Sequence, residues 1–221
     1  MNKIEISPQI VAACPDLLLG CIEAKVVVQS DREDLWQHID RELDQFAEGL
    51  EVKQVNQRPT IAGTRIAYKA CGKDPSRYRP SAEALSRRIA QGKGLYRVSN
   101  IVDLLNLVSI KSGFSIGGFD VSHIEGGASL QIAGEGEPYE AIGRGQLNIA
   151  GLPAMYDEKG AFGTPTSDSV RTMVRPETSR FLMVFYVFSD AGELDAAMEE
   201  AVSLLTTYAS ATELETQVIR P

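Results

Sequence analysis

Residues 164–169 carry four hydroxyls, on Thr164, Thr166, Ser167 and Ser169, around the carboxyl of Asp168, and Arg171 follows close behind. Hydroxyls and a carboxylate in one short segment can take up a ligand amine, a ribose or a phosphate. The same residue types also crowd into turns, because their side chains satisfy nearby backbone groups. Both readings stand on the residues alone. Cys71 lies between Lys69 and Lys73, two cations that would depress a thiol pKa. Neither histidine, His38 or His123, is placed to serve it as a base. His38 reads as a surface residue. Cys14, Cys21 and Cys71 are odd in number and form no CxxC pattern, and two histidines make a poor ligand set. The expectation is reduced thiols, no metal, no cofactor and a cytoplasmic setting.

Charge adds a third candidate. The formal net charge of −8 argues against a general nucleic-acid binder. Its distribution is uneven. Between Arg65 and Arg97 stand nine Lys or Arg against two acids, Asp74 and Glu83, whereas residues 181–221 hold seven acids and one Arg. Screening over about 10 Å lets such a patch attract a polyanion although the whole chain is acidic. Arg77, Arg79, Arg87 and Arg88 are its candidate RNA-binding residues, and Tyr68, Tyr78 and Tyr96 could stack on bases. The opposing reading is a solvated basic face paired to acids elsewhere, with tyrosines that anchor the segment to the core.

The elements that must position these groups alternate between helix and strand. Residues 3–6 and 24–28 read as short strands. Ser30 with Glu33 forms a capping-box pattern, opening a helix whose apolar positions Leu35, Trp36, Ile39, Leu43, Phe46 and Leu50 recur at helical spacing. Residues 53–80 are broken by Gly and Pro, with helix expected only around 66–70. Ser81 is expected to cap a helix ended by Gly92 and Gly94. Asn100 is expected to cap the next, with Ile101, Leu104, Leu105 and Val108 on one side and Asp103, Asn106 and Ile110 on the other. Gly113 ends it. Asp103 and Asn106 read as capping and loop-tying groups, and Asp120 as a turn former. Beyond Gly126, alternating apolar residues and glycines predict several short strands. Residues 181–188 predict a strand buried on both faces, and Asp190 with Glu193 opens a last helix. At 221 residues, 43% hydrophobic and 24% charged, the chain is ordinary globular material. No repeat or linker divides it, so residues 1–221 are expected to form one α+β unit. No apolar run nears the roughly 20 residues that span a bilayer, and residues 1–8 carry no signal-peptide pattern.

The segment 99–127 resembles the B3/B4 tRNA-binding and editing module of the phenylalanyl-tRNA synthetase beta chain. That module carries Asn-x-Val-Val-Asp-Val-Thr-Asn-Tyr-Val, then Gly-Gln-Pro-x-His-Ala-Phe-Asp, then Ile-Glu-Gly. In the same order and at similar spacing this chain has Asn100, Val102, Asp103, Asn106 and Val108, then Gly113, Phe119 and Asp120, then Ile124, Glu125 and Gly126. Residues 160–163 resemble the Gly-Phe-Gly turn that lines the family's editing pocket. The similarity is clearest over residues 68–188, and no catalytic synthetase core accompanies it. The family clears wrongly attached tyrosine from phenylalanine tRNA.

What the resemblance implies is a pocket between residues 113–120 and 160–168, with the four arginines at its mouth. Gly117, Gly118, Gly163, Thr164, Ser167 and Arg171 would bind substrate there, and Asp168 and Thr166 would carry the chemistry. The implied partners are tRNA or the 3′ end of an aminoacyl-tRNA, or a small amino-acid-like ligand, and no membrane. One departure bears on all of this. The family's Pro-x-His-Ala becomes Ser115, Ile116, Gly117 and Gly118, so the pocket histidine is Gly117 here, and His123 lies outside the motif. Two functions follow: a hydrolase that removes an incorrect aminoacyl group in trans, or a non-catalytic module that binds RNA or a small ligand and has lost the reaction.

Overall fold

Residues 181–187 are all buried, so the strand they build, β9 (Arg180–Val187), must be covered on both faces. In the computed structural model, which describes residues 3–189 and 191–221, β9 pairs antiparallel with β2 (Leu18–Lys25) and with β3 (Ser115–Asp120). The last strand, β10 (Thr212–Ile219), adds beyond β2, giving the order β10-β2-β9-β3. Alternation along β9 divides the core. Phe181, Met183, Phe185 and Val187 pack under the helices α2 (Glu33–Ala47), α4 (Ser81–Ala90), α5 (Asn100–Ser112) and α6 (Leu194–Ala209). Leu182, Val184 and Tyr186 point the other way. They meet a second sheet, ordered β1-β4-β7-β8, made of β1 (Ile4–Ile6), β4 (Ala128–Ile132), β7 (Pro153–Asp157) and β8 (Gly160–Gly163). Each fully buried large apolar side chain contributes about 1.5–3 kcal/mol. The α+β expectation holds.

Two further helices and a hairpin complete the frame: α1 (Pro8–Ala13), α3 (Pro59–Ala70), and the pair β5 (Glu140–Ala141) with β6 (Gly145–Gln146). Short 3-10 segments cover Val52–Gln57 and Val121–His123. Among the described residues no helix is long and apolar enough to cross a membrane.

Several local expectations are corrected. The early strand is Leu18–Lys25 rather than 24–28. Beyond Lys25 the chain leaves the ladder, as Val26 N–H donates to Ser179 O and Val27 N–H to Ala209 O. Ser30 does not cap α2, which begins after Arg32 and ends before Leu50. Ser81 is the first helical residue of α4 and Pro80 precedes it as the cap. The helix expected at 66–70 starts at Pro59, whose fixed φ and missing N–H suit a first helical position. Ser99, not Asn100, caps α5, accepting from Val102 N–H at 3.4 Å. Asn100 instead ties three segments together. Its Oδ1 accepts from Gln29 N–H, and its Nδ2 donates to Val27 O and Tyr208 O. Asp103 accepts from the Trp36 indole and from Val98 N–H, both at 2.9 Å, in keeping with a loop-tying role. Asp103 and Ile110 are buried along with the apolar stripe, because α5 is enclosed by α2, α4, α6 and β3. Asp190 lies outside the described residues; the last helix begins at Leu194 after Glu193.

Candidate functional site

Between the two sheets, β3 presents Gly117 and β8 presents Gly163. The ring of Phe119 lies across both. A Cβ on Gly117 would stand 2.5 Å from Phe119 Cζ, and one on Gly163 would stand 2.4 Å from the same atom. The ring is fully buried and meets Phe162 edge-on at 4.9 Å. Both backbones must therefore be bare for the ring to fit. On its flanks sit two polar atoms, Asp168 Oδ1 and the Tyr186 hydroxyl, each 3.2 Å from the Cβ position of the nearer glycine. Both are buried, and neither has a hydrogen-bond partner among the described residues. A buried polar atom left unpaired costs roughly 1–3 kcal/mol, so these two, on the flanks of the Phe119 ring, are atoms that a polar partner would stabilise.

The turn that delivers Asp168 is held from within. Thr164 Oγ1 accepts from Thr166 N–H and Ser167 N–H and donates to Ser167 O at 2.9 Å. Thr166 Oγ1 shares a 2.8 Å hydrogen bond with Tyr68, and the Tyr139 hydroxyl donates to Ser167 O at 2.8 Å. Outside, Ile142 N–H of the β5–β6 hairpin donates to Asp168 O, and Ser81 N–H at the start of α4 donates to Pro165 O. The carboxyl itself is gripped on one side only. Asp168 Oδ2 accepts from Gly118 N–H at 3.0 Å, and the Thr164 N–H is a second, weaker influence that favours the ionised carboxylate.

Burial dominates the electrostatics. It pushes the Asp168 carboxyl up to about 7, against the Gly118 and Thr164 N–H groups that pull it down. Burial and then the Asp168 charge raise the Tyr139 and Tyr186 phenols, and burial raises Tyr68, so all three stay neutral donors. Below pH 7 the carboxyl can donate from Oδ1. Above pH 7 it can accept a proton from a bound amine, hydroxyl or water, the poise a general base needs.

The structure brings Gly117, Gly118, Gly163, Thr164, Thr166, Ser167 and Asp168 together. Gly118 contributes its N–H alone, because its other side packs on Leu105 and Phe181. Residues 113–120, expected as a loop, are mostly strand β3. Arg171 faces another partner: it forms a bidentate pair with Asp157 at 2.8 Å and donates to His123 O and Gly160 O. Burial raises the Asp157 carboxyl, but the Arg171 pair and the N–H groups of Glu125 and Lys159 outweigh it and hold it below its ordinary value. Arg171→Ala should therefore cost about 3–5 kcal/mol in a urea titration, because it strands a buried carboxylate. An unchanged midpoint would show the pair to be slack.

The basic face is more committed than its charge count implies. Glu83, 1% exposed, gathers Arg65 and Arg87 at 2.8 Å and Arg79 at 3.5 Å. Arg87 also donates to Val52 O, while Arg88 bonds Gly94 O and Lys93 O and stacks on Tyr96. Arg77 and Arg79 stay exposed beside Pro80, at the end of α4 that touches the 164–166 turn. Arg87 and Arg88 lie about 10 Å farther along that helix.

Tyr68 does not sit on a nucleic-acid face; it is fully buried against Thr166. Tyr78 lies under Lys73, and only Tyr96 is widely exposed. The lowered Cys71 thiol also fails: a hydrogen bond to Cys14 and then burial raise it, and Lys73 is turned inward onto Asn148 O and Ala150 O. His123 stays by Asp120 at 3.4 Å, and Asp120 is a turn former that binds Ser122 and Thr178. Sequence reasoning missed Tyr186 and Tyr139. Their signal was a phenol inside an apolar run, which reads as core. A cleft of about 640 Å³ lies elsewhere, lined by Val28, Arg32, Val98 and Arg175. Its arginines already bind Asp34 and Val170 O, whereas Asp168 Oδ1 and the Tyr186 hydroxyl are unpaired. Among the described residues no cluster of three or more His, Cys, Asp or Glu could hold a metal ion.

Sixteen chains of solved structures match. One is an N-terminal fragment of the phenylalanyl-tRNA synthetase beta-subunit from Pyrococcus horikoshii, with a TM-score of 0.54 at 10% identity. The alignment covers 99% of this chain and 54% of that one, so this chain spans about half the fragment's length. At that identity the likeness is one of fold. No curated protein matches. The family model described as the B3/4 domain matches residues 63–210, two-thirds of the chain including β3, β8 and the whole 164–169 turn, and the chain belongs to that family.

Proposed function

We propose that this protein acts on the aminoacyl end of a tRNA and hydrolyses the ester there, with the amino-acid moiety held at Asp168. The observation that carries the reading is the pair of unpartnered buried atoms, Asp168 Oδ1 and the Tyr186 hydroxyl, beside Gly117 of β3 and Gly163 of β8. In this reading ionised Asp168 takes a proton from water as the water adds to the ester carbonyl. It returns that proton to the departing ribose oxygen. Thr166 and Tyr68 act by fixing the turn that aims the carboxyl. The synthetase fragment's name supports a tRNA partner by analogy of fold.

The test is a panel of mischarged tRNAs incubated with the purified protein, read as ester loss. A wild-type rate above water on at least one member, rising with pH through about 7, is expected. A specific observation favours a binding module as the second reading: the Phe119 ring fills the ground beside Gly117, where the family histidine would stand. Tight tRNA binding with no ester loss on any member would select it. For the RNA contact, Arg77 and Arg79 are the exposed arginines beside Pro80, Arg79 also keeping its 3.5 Å pair with Glu83. Replacing both by Ala should flatten the slope of log affinity against log salt by about 2. Millimolar, salt-independent affinity would end the RNA reading in both forms.

A further inference from the structure

Between β3 and β8, two bare glycines leave room for a side chain that neither supplies. A Cβ on Gly117 or on Gly163 would meet the same atom first, Phe119 Cζ, at 2.5 and 2.4 Å. One ring therefore takes the space at both positions, with Asp168 Oδ1 on the Gly117 side and the Tyr186 hydroxyl on the Gly163 side. The ring is fully buried, and Phe162 meets it edge-on at 4.9 Å. At the density of a protein interior, that leaves no volume for a second ring. Gly118, Ser167 and Asp168 are half-buried residues, so a ligand's approach is along the edge of β3, where Gly118 N–H donates to Asp168 Oδ2.

We propose that Phe119 is the specificity-determining residue of this recess, a fixed wall that restricts it to aminoacyl groups whose side chain is a hydrogen, a methyl or a hydroxymethyl. This rests on the reading that the amino-acid moiety is held at Asp168, and adds which amino acids that moiety can be. Every aminoacyl group brings the same amine and the same carbonyl to the two unpaired atoms. Only the side chain differs, and the volume beside those atoms belongs to Phe119. A glycyl, alanyl or seryl group needs little of it. A phenylalanyl or tyrosyl group needs all of it.

Displacing the ring would forfeit its burial and its contact with Phe162, and a packed core does not compress to spare it. Excluded volume discriminates strongly in this direction. A group too large for a rigid slot is rejected by overlap, whereas one too small loses only contacts.

The test is calorimetric binding of 3′-aminoacylamino-3′-deoxyadenosines, whose amide link replaces the labile ester, to the full chain. Wild type should bind the glycyl, alanyl and seryl analogues at least about 100-fold more tightly than the phenylalanyl and tyrosyl ones. Phe119→Ala should bring the two groups within about tenfold of each other. Phe119→Leu, which keeps an apolar contact with Phe162, should fall between, and it decides the matter if a thermal melt shows the alanine variant unfolded. Aromatic analogues bound by wild type as tightly as small ones would overturn the proposal. So would a folded variant that keeps the wild-type preference, or no binding of any analogue. Small analogues bound with no charged tRNA hydrolysed would end the hydrolase reading and leave this one standing. Hydrolysis of tyrosyl- or phenylalanyl-tRNA by wild type would do the reverse.

Discussion

Asp168→Asn is expected to stabilise the protein at pH 8 and leave its stability at pH 4 nearly unchanged. The folded carboxyl titrates near 7 against an ordinary value of 3.8. Between those values the native state holds a proton that the unfolded chain has released. Native stability therefore falls as pH rises across the window, and the loss is complete above about 7. Three pKa units correspond to about 4 kcal/mol. Asparagine is neutral throughout. Its carbonyl can accept from the Gly118 and Thr164 N–H groups, and its amide can donate where Oδ1 stands. Urea titrations of both proteins from pH 4 to 8 should diverge steadily, with the variant the more stable at the alkaline end. Parallel curves would mean that Asp168 ionises normally and the recess is wet. The same variant should lose about 10²–10⁴ of any ester hydrolysis, the usual contribution of a general base. Stability gained with function lost is the signature of a strained site rather than of a scaffold residue.

Gly117→His, which installs the residue that the resemblance to the synthetase module implies for this position, should damage the fold rather than improve the chemistry. The new Cβ would meet Phe119 Cζ at 2.5 Å, Cε2 at 2.8 Å and Asp168 Oδ1 at 3.2 Å. Phe119 has little room to retreat, being wedged against Phe162. Overpacking of this kind costs about 1–3 kcal/mol before the imidazole is placed at all, and Tm should drop by about 2–4 °C for each kcal/mol at this chain length. Adding Phe119→Leu should recover part of the loss, because the two positions compete for one volume and their effects are not additive. A Gly117→His protein as stable as wild type would show the ring to be mobile.

How legible these features were depends on which signal each one carries. The helix α5 was plain because an apolar stripe and a terminal Gly113 coincide. Its cap shifted by one residue because Ser99 and Asn100 are both good candidates, and the tertiary bonds of Asn100 decided between them. The strand β2 was misplaced for a physical reason. Residues 18–24 are buried on both faces, so the alternation that identifies a half-buried strand is absent, while the valines at 26–28 imitate one. Strand β10 went unread because it is a polar edge strand, with Glu213 and Glu215 where a core strand would be apolar. The turn around Asp168 could be picked out by residue type and by family resemblance. Its buried, unpaired state could not, since that depends on Phe119 and Tyr186 arriving from two other strands.

The order β10-β2-β9-β3 also sets a schedule for synthesis. Strand β2 lies early in the chain, yet both of its neighbours, β9 and β10, are made late. As the chain leaves the ribosome, residues 18–24 have no ladder to join until Val187 has emerged. At roughly 5–20 residues per second that wait lasts on the order of ten seconds. Throughout it an apolar strand with unpaired edges is open to chaperones and to other nascent chains, and the slow closure expected of such distant pairing begins only once that interval has passed.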